Sequence, residues 1–256
     1  MEPRCHYHRN QLGEVICQLR FPEILTIEAN APVEFQEAIR AHYPIYRARQ
    51  EPSAPKLTGA PGNLSLQKPE PTTNYSFASP DGVWRINLTD TFISLSCQEY
   101  SSWEAFAARL DQPLAEFIRL YRPACFERIG LRYMNFISRK DLDLEDEPFR
   151  ELLREQYLGI LADEELHGPV RGSVDGEFAV RSGCRAKVHA GTGMVRRGTG
   201  MDPEVKLIFD EDLFMPGQIP VHLAAPVMQT LHDQAWSIFR DAITDRLHEA
   251  MEPSQR

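Results

Sequence analysis

The amino-acid sequence predicts an α+β fold in which a curved antiparallel sheet carries helices on one face. Some segments alternate apolar and polar residues with the period of a strand, and others repeat apolar residues with the period of a helix. The order strand, helix, three or four strands, helix occurs twice along the 256 residues. Because a sheet with one apolar face needs a cover, the amphipathic helices are expected on that face. We expect one domain over 1–256, built from a first pseudo-repeat at 12–122 and a second at 126–251.

The first predicted repeat opens with a strand at 12–21, LGEVICQLRF, whose alternate residues are apolar. A helix follows at 31–44, with proline near each end. The segment 45–72 is rich in Pro, Ser, Gly and Thr and is predicted to be a loop that holds one short strand, LSL. A three-stranded meander at 74–97 and a helix at 101–121 complete the repeat.

Two local features of the helix at 101–121 give further predictions. Ser101 and Glu104 have the spacing of a capping box, in which each side chain bonds the backbone N–H of the other. Pro113 lies in the interior, where a proline removes one backbone hydrogen bond. The sequence therefore predicts a helix that starts at Ser101 and is kinked or split at Pro113.

The second predicted repeat starts with the strand FERIGLRYMNFI at 126–137 and continues with a helix at 147–162. Asp175-Gly176 and Ser182-Gly183 are expected to form two-residue turns between strands. A single long helix over about 224–251 is expected to close the chain. The strands between these two helices are predicted at 169–174, 177–182, 184–189 and 203–210.

The two repeats also match at individual residues. Glu14 and Arg20 in the first strand correspond to Glu127 and Arg132 in the strand that opens the second repeat. Two amphipathic segments can also be matched by chance, but here the element order recurs as well. The layout resembles the saddle of the TATA-binding-protein fold and, more loosely, the helix-grip folds. The resemblance is one of layout and implies no DNA-binding function.

Composition limits the classes of function. The net charge is −9, and it is −2 for 1–128 and −7 for 129–256, so neither half has the basic balance of a protein that binds duplex DNA. Five cysteines without CxxC spacing indicate a reducing compartment rather than a disulfide framework. We find no charged leader followed by an apolar region and no apolar run of about 18 residues. We therefore expect a cytoplasmic protein that is not attached to a membrane.

Four stretches resemble a known bacterial family: LGEVICQLRFPEI, EFQEAIRAHYP, GVWRINLTDTFISLSCQEYSSWEAF and FERIGLRYMNFI. The resemblance is to a sporadically distributed family of uncharacterised proteins of the TIGR series, and it covers about residues 7–250. That family has no established activity, so the resemblance implies no catalytic residues. Its patchy occurrence implies mobile gene neighbourhoods such as phage-defence or toxin–antitoxin loci.

Charged strand residues are the first candidates for binding. If Arg20 and Arg132 point to the concave face of the sheet, together with Glu14 and Glu127, they line its groove. Guanidinium groups placed in that way bind a carboxylate or a phosphate. The alternative is a cross-strand Arg–Glu pair on a solvated face, which contributes little.

The segment GTGMVRRGTG at 191–200 is the second candidate, because it has no counterpart in the first repeat. It is predicted to be a loop whose glycines free the backbone and whose Arg196 and Arg197 clamp an anionic group. Thr199 stands where a Walker A loop has lysine, so a nucleotide-hydrolysing loop is not indicated. The alternative is a flexible hairpin tip.

Residues with catalytic or metal-binding chemistry are scattered. Cys5, His6 and His8 in CHYH offer metal ligands, but no second cluster in the sequence completes a site. Histidines such as His232 lack a partner that the sequence identifies, and the three tryptophans are expected in the core. We therefore predict no catalytic residues, no metal and no cofactor.

The sequence supports three hypotheses of function. The first is a non-enzymatic binding or scaffold protein whose concave sheet engages a protein partner or a small anionic ligand. The second is an enzyme whose active site is assembled between the repeats, and a deep closed pocket with a buried His or Glu would favour it. The third is a homodimeric structural protein with the last helix as its interface.

Overall fold

A nine-stranded antiparallel sheet is the main element of the computed structural model. Helices pack on one of its faces, and the predicted α+β class with a curved antiparallel sheet is confirmed. Two further pairs of short strands lie outside this sheet. The structure describes residues 4–52, 56–58, 65–67, 71–163, 171–197 and 200–255.

Thirteen strands and six α-helices make up this part of the chain. The strands are β1 (Cys5–Tyr7), β2 (Leu12–Arg20), β3 (Ile45–Glu51), β4 (Lys56–Thr58), β5 (Ser65–Gln67), β6 (Thr72–Ala78), β7 (Trp84–Leu88), β8 (Phe92–Cys97), β9 (Phe126–Ile137), β10 (Ser173–Ala179), β11 (Arg185–Arg197), β12 (Gly200–Ile219) and β13 (Pro253–Gln255). The helices are α1 (Leu25–Ala29), α2 (Val33–Ile39), α3 (Trp103–Tyr121), α4 (Glu155–Leu158), α5 (Ala224–Ala242) and α6 (Asp245–Ala250).

The strand order is equivalent on the two sides of the sheet. Across the sheet the order is β10-β11-β12-β9-β2-β8-β7-β6-β3, with β2 and β9 paired antiparallel at the junction of the halves. In each half the last long strand returns beside the first, so that β8 pairs with β2 and β12 pairs with β9. This order agrees with two similar units, whereas a duplication that relates them stays a prediction.

Helices α3 and α5 cover one face of the sheet. Val15, Cys17 and Leu19 of β2 point to this face and are fully buried, as the alternation of the sequence predicts. The Cys17 Sγ atom lies 3.4 Å from Met228 Sδ of α5, so the first strand contacts the last long helix. Each large apolar side chain buried here contributes about 1.5–3 kcal/mol to the free energy of unfolding.

Helix α3 is continuous through Pro113, so the predicted split is wrong, whereas the kink stays a prediction. A proline has no N–H to donate to the carbonyl four residues earlier, which here belongs to Arg109. The Tyr43 hydroxyl donates to that Arg109 carbonyl oxygen at 3.1 Å. A side chain from the α2–β3 connection thus replaces the missing backbone donor. The predicted cap is also displaced by one residue, because Ser102 rather than Ser101 accepts a hydrogen bond from the N–H of Ala105.

The helix predicted at 147–162 is wrong. The structure has short 3₁₀ turns in this segment and only the four-residue helix α4. Pro148 holds an extended backbone conformation, and Gly159 ends α4 with a φ of +53°. Leu152 and Leu153, which formed the apolar stripe of the predicted helix, are fully buried in a separate cluster with residues of α5 and α6.

The single helix predicted at 224–251 is divided into α5 and α6. Ile243 between them is extended, with a ψ of 148°, and forms an isolated antiparallel bridge with Leu153. Thr244 then caps α6, since its side chain accepts a hydrogen bond from the N–H of Leu247. The break follows from a tertiary contact that the helical period of the sequence does not show.

Several strand predictions also need correction. The segment Ile45–Glu51, predicted as part of a loop, is the edge strand β3, and all its residues are exposed. Asp175-Gly176 lies inside β10 and is not a turn, whereas Ser182 and Gly183 have φ angles of 61° and 75° in the connection to β11. The segment 191–200 is not a loop between strands, because β11 extends to Arg197 and β12 begins at Gly200. Both strands are longer than predicted.

Among the described residues, no helix is long and apolar enough to span a membrane.

Candidate functional site

The predicted binding residues Arg20 and Arg132 lie on the open face of the sheet, defined as the face opposite α3 and α5. They belong to adjacent strands but do not face each other. Arg20 is opposite Arg128, and Arg132 is opposite Ile16. Four residues along a strand correspond to about 13 Å, so the two guanidinium groups do not form one clamp in this structure.

Ion pairs occupy the open face of the second half. Arg132 binds the carboxylate of Asp210 through two nitrogens, one of them Nε at 2.7 Å from Oδ1. Arg128 binds both oxygens of Asp212 at 2.7 and 2.8 Å. The Asp210 carboxylate raises the pKa of Arg132 above its ordinary value. Arg132 is therefore already neutralised by a neighbour from β12.

The other predicted residues are dispersed. Glu14 on β2 is partly exposed, and Glu127 is exposed at the beginning of β9. The alternative, a cross-strand Arg–Glu pair, is not formed among the described residues, since Arg132 pairs with Asp210 of β12 and Arg20 forms no ion pair. Arg196 and Arg197 end β11, where the structure describes their backbone only, so their anion-binding role stays a prediction.

The open face of the first half differs in its charge balance. Four exposed arginines on this face have no ion-pair partner among the described residues, and the positions between them hold small or uncharged polar side chains such as Ser94 and Ser96. Ser94 and Ser96 are nearly inaccessible to solvent. Anion binding at this half of the sheet stays a prediction. The four arginines are Arg20, Arg47, Arg49 and Arg85.

The helix-covered face contains a cavity of about 130 Å³ that is half enclosed. We name it the inner cavity. Strands β9 and β12 form its floor, α5 and the beginning of α3 form its walls, and the N-terminal segment forms its rim. The side chains that matter most for its chemistry are Glu211, Tyr133, His232, Trp103, Trp236 and Tyr100.

Glu211 is the most unusual residue of the inner cavity. It lies on β12 between Tyr133 of β9 and Val188 of β11, and only 2% of its surface is exposed. Its Oε2 atom has no hydrogen-bonding partner among the described residues. Burial raises the pKa of this carboxyl well above its ordinary value, and the nearby Asp210 raises it further. The carboxyl therefore favours the protonated, uncharged form.

Lys206 shows how the same protein treats another buried charge. It is 3% exposed, and its Nζ atom is held by Asp202 at 3.2 Å and Glu204 at 3.4 Å. Buried charges in proteins are ordinarily paired in this way. Glu211 has no such pair among the described residues, although it faces a cavity.

A hydrogen-bonded and stacked group lies beside Glu211. The Tyr133 hydroxyl and His232 Nδ1 are 2.7 Å apart, and burial raises the pKa of Tyr133 well above its ordinary value. The His232 ring stacks on Trp103 with centroids 4.7 Å apart and planes 13° from parallel. Trp103 Nε1 in turn donates to Gln229 Oε1 at 2.7 Å. These contacts fix the walls of the cavity in one arrangement.

Both ends of the chain meet at the rim. Strand β1 pairs with β13, Arg4 forms an ion pair with Asp233 of α5, and the Tyr7 hydroxyl lies 2.8 Å from His248 Nδ1 of α6. Cys5 and His6, considered above as metal ligands, line the cavity. Among the described residues, no group of three or more His, Cys, Asp or Glu side chains is placed to hold a metal ion.

Glu211 is a candidate residue that was missing from the predictions, although the sequence contains an indication of it. In LIFDEDLF the residues Leu207, Phe209 and Leu213 take the inward phase of β12, and Glu211 takes the same phase. A carboxyl at an inward position of a strand indicates either that the alternation of inward and outward residues is interrupted there or that the acid is buried. No sequence pattern joins His232 to Trp103, because these two residues meet through the packing of α3 against α5.

A scan against protein-family models matches no family, and a search of curated proteins finds no match. The family resemblance inferred from the sequence therefore stays a prediction.

Proposed function

We propose that this protein binds a small molecule in the inner cavity. The observation that carries the proposal is the buried carboxyl of Glu211, a residue that lines the cavity and whose solvent-inaccessible Oε2 atom has no hydrogen-bonding partner among the described residues. Leaving a buried polar group without a hydrogen bond costs about 1–3 kcal/mol, so such a group in a cavity is typically satisfied by a ligand or by water. A ligand that meets this carboxyl removes that cost.

The size and lining of the cavity support a ligand rather than water alone. A cavity of about 150 Å³ admits benzene, and one water needs only about 10–15 Å³ on the same scale. The inner cavity, at about 130 Å³, is close to the first value. Most of its lining surface is apolar or aromatic, and polar groups line the rest of it. These are Glu211, Tyr133, His232 and Asn135, and also Arg4, His6, Asn10, Ser101 and Ser102. This combination is typical of small-molecule sites.

Filling the cavity tests the proposal. Ala235 is a buried residue of α5 that lines the cavity, so Ala235→Leu is expected to occupy part of the space. Ligand-observed NMR with a library of small fragments should detect binders to the unaltered protein. The same fragments should bind Ala235→Leu at least about tenfold more weakly, a loss of about 1.4 kcal/mol.

Ala225→Leu is the matched control, because Ala225 is an exposed position on the same helix. It should leave fragment binding unchanged. If no fragment binds the unaltered protein, or if both variants bind the fragments equally, the inner cavity is not a ligand site.

An enzyme that acts on the bound molecule is the second candidate. The buried Glu211 meets one part of the criterion given above for an enzyme, whereas the cavity is half enclosed rather than deep and closed, and His232 is only partly buried. The Glu211 carboxyl has a raised pKa, and the His232 imidazole is hydrogen-bonded to Tyr133. Both are groups of the kind used in acid–base catalysis. Mass spectrometry of any identified binder after incubation tests this candidate, since a new product that Glu211→Gln fails to form would support it and an unchanged binder would oppose it.

The cysteines support the proposal of a reducing, cytoplasmic location. All five are free thiols, and Cys17, Cys97 and Cys184 are buried in strands or next to them. Burial raises the pKa of Cys17 to about 12, so this thiol packs as an apolar group.

A further inference from the structure

The chemical class of the ligand can be inferred from the floor of the inner cavity, where Glu211 has no cationic partner among the described residues. This inference rests on the function proposed above. We propose that the cavity takes a small cationic amine, whose ammonium group donates to the Glu211 carboxyl and whose apolar body fills the aromatic part of the space. An unpaired buried carboxylate is unfavourable, and an opposite charge that hydrogen-bonds to it is the partner that favours its ionised form. A ligand ammonium supplies both the charge and the donors.

No cationic side chain among the described residues pairs with Glu211, so a bound ligand can supply that cation. Among the described residues no ion pair reaches Glu211, and burial and Asp210 both disfavour its charge. Arg4 at the rim is held by Asp233 of α5. In the part of the chain that the structure describes, the Glu211 carboxyl thus has no cationic side chain paired with it.

The aromatic lining supports a cation rather than an anion or a neutral donor. Tyr7, Tyr100, Trp103 and Trp236 line the same cavity as Glu211. The negative faces of tyrosine and tryptophan rings attract ammonium groups, and this attraction is larger where water is excluded. A net charge of −9 over the chain also favours the approach of cations over that of anions.

The experiment compares amines with neutral alcohols of the same shape. Benzylamine and benzyl alcohol form one pair. Isobutylamine and isobutanol form a second pair with a smaller molecular volume. Dissociation constants are measured at neutral pH by calorimetry and by the change in tryptophan fluorescence. For at least one pair, we expect the amine to bind the unaltered protein at least about tenfold more tightly than its alcohol.

Glu211→Gln tests the origin of the preference. It keeps the shape of the side chain and removes its ability to ionise against a bound ammonium group, so the amine should lose its advantage over the alcohol. Glu127→Gln is the control, because Glu127 is an exposed carboxylate at the beginning of β9. This variant should keep the preference for the amine.

The outcomes separate the two proposals. If the alcohols bind as well as the amines, the cationic ligand is wrong and the cavity remains a small-molecule site. If only neutral fragments bind in the library screen, the cationic ligand is likewise wrong and the cavity remains a small-molecule site. If neither probes nor fragments bind, both proposals are wrong. The comparison of amine with alcohol uses the unaltered protein, so it decides the question even if Glu211→Gln does not fold.

Discussion

At the scale of single residues, Glu211 links the stability of the protein to pH. Burial raises the pKa of its carboxyl in the folded state, whereas an unfolded chain leaves it near its ordinary value of about 4.3. Between these two pKa values the folded state binds more protons than the unfolded state. The free energy of unfolding therefore falls as pH rises through this window. This dependence is opposite to that of an ion-paired carboxylate such as Glu204, whose pKa is lowered.

Replacing Glu211 by glutamine should remove this dependence. Relative to the unaltered protein, Glu211→Gln should become more stable as pH rises above about 4.3, by about 1.4 kcal/mol for each pH unit between the unfolded-state and the folded-state pKa of Glu211. Urea unfolding at a series of pH values measures the difference. Glu127→Gln should show no such trend. A stability difference that stays constant with pH would contradict the buried state of Glu211.

At the scale of elements, helix α3 shows how single side chains fix the ends and the interior of a helix. The Ser102 side chain accepts a hydrogen bond from the N–H of Ala105 in the first turn, and the Tyr43 hydroxyl donates to the Arg109 carbonyl that Pro113 leaves without a backbone donor. The cap also matters for the inner cavity, because Trp103 is the first residue of α3 and stacks on His232. A frayed beginning of this helix would loosen that wall.

Removing the cap should reduce stability by a measurable amount. Ser102→Ala should lower the free energy of unfolding by about 1 kcal/mol, the usual contribution of a serine N-cap. Ser101→Ala is the matched control and should change it by less than about 0.5 kcal/mol, since Ser101 is exposed and outside the cap. Thermal or denaturant unfolding of both variants gives the comparison. The opposite order would show that Ser101 is the cap after all.

At the scale of the whole molecule, the core is shared between the halves. One buried cluster joins Val15, Cys17 and Leu95 of the first half with Leu131 and Leu213 of the second. Because β2 and β9 pair at the junction, neither half can lose its strands without exposing part of this cluster. We expect the chain to unfold in one cooperative transition.

Leu131→Ala tests this shared core. Leu131 is fully buried between Cys17 of β2 and Leu213 of β12, so its truncation should cost about 2–5 kcal/mol. Tryptophan fluorescence and far-ultraviolet circular dichroism should give the same denaturation curve for the variant and for the unaltered protein. Leu25→Ala is the control, because Leu25 is 70% exposed and should contribute less than about 0.5 kcal/mol. Two separate transitions would show that the halves fold independently.

Alternation and helical period predicted the sheet strands β2, β6, β7, β8 and β9 and the helix α3, because burial of one face imposes these periods on the sequence. Where burial is absent or irregular, the prediction failed. Strand β3 is exposed throughout and has no such pattern. Leu152 and Leu153 are buried in irregular backbone, where helical spacing has no meaning.

The sequence by itself determined the fold class and the two faces of the central strands, whereas the strand predicted at 203–210 stopped short of Glu211. Only the tertiary structure decided the rest, because each of these features depends on residues far apart in the chain. The packing of α3 against α5 stacks His232 on Trp103. The pairing of β9 with β12 lets Arg132 bind Asp210 and places Tyr133 beside Glu211. A cavity belongs to the space between elements, and local sequence patterns do not encode that space.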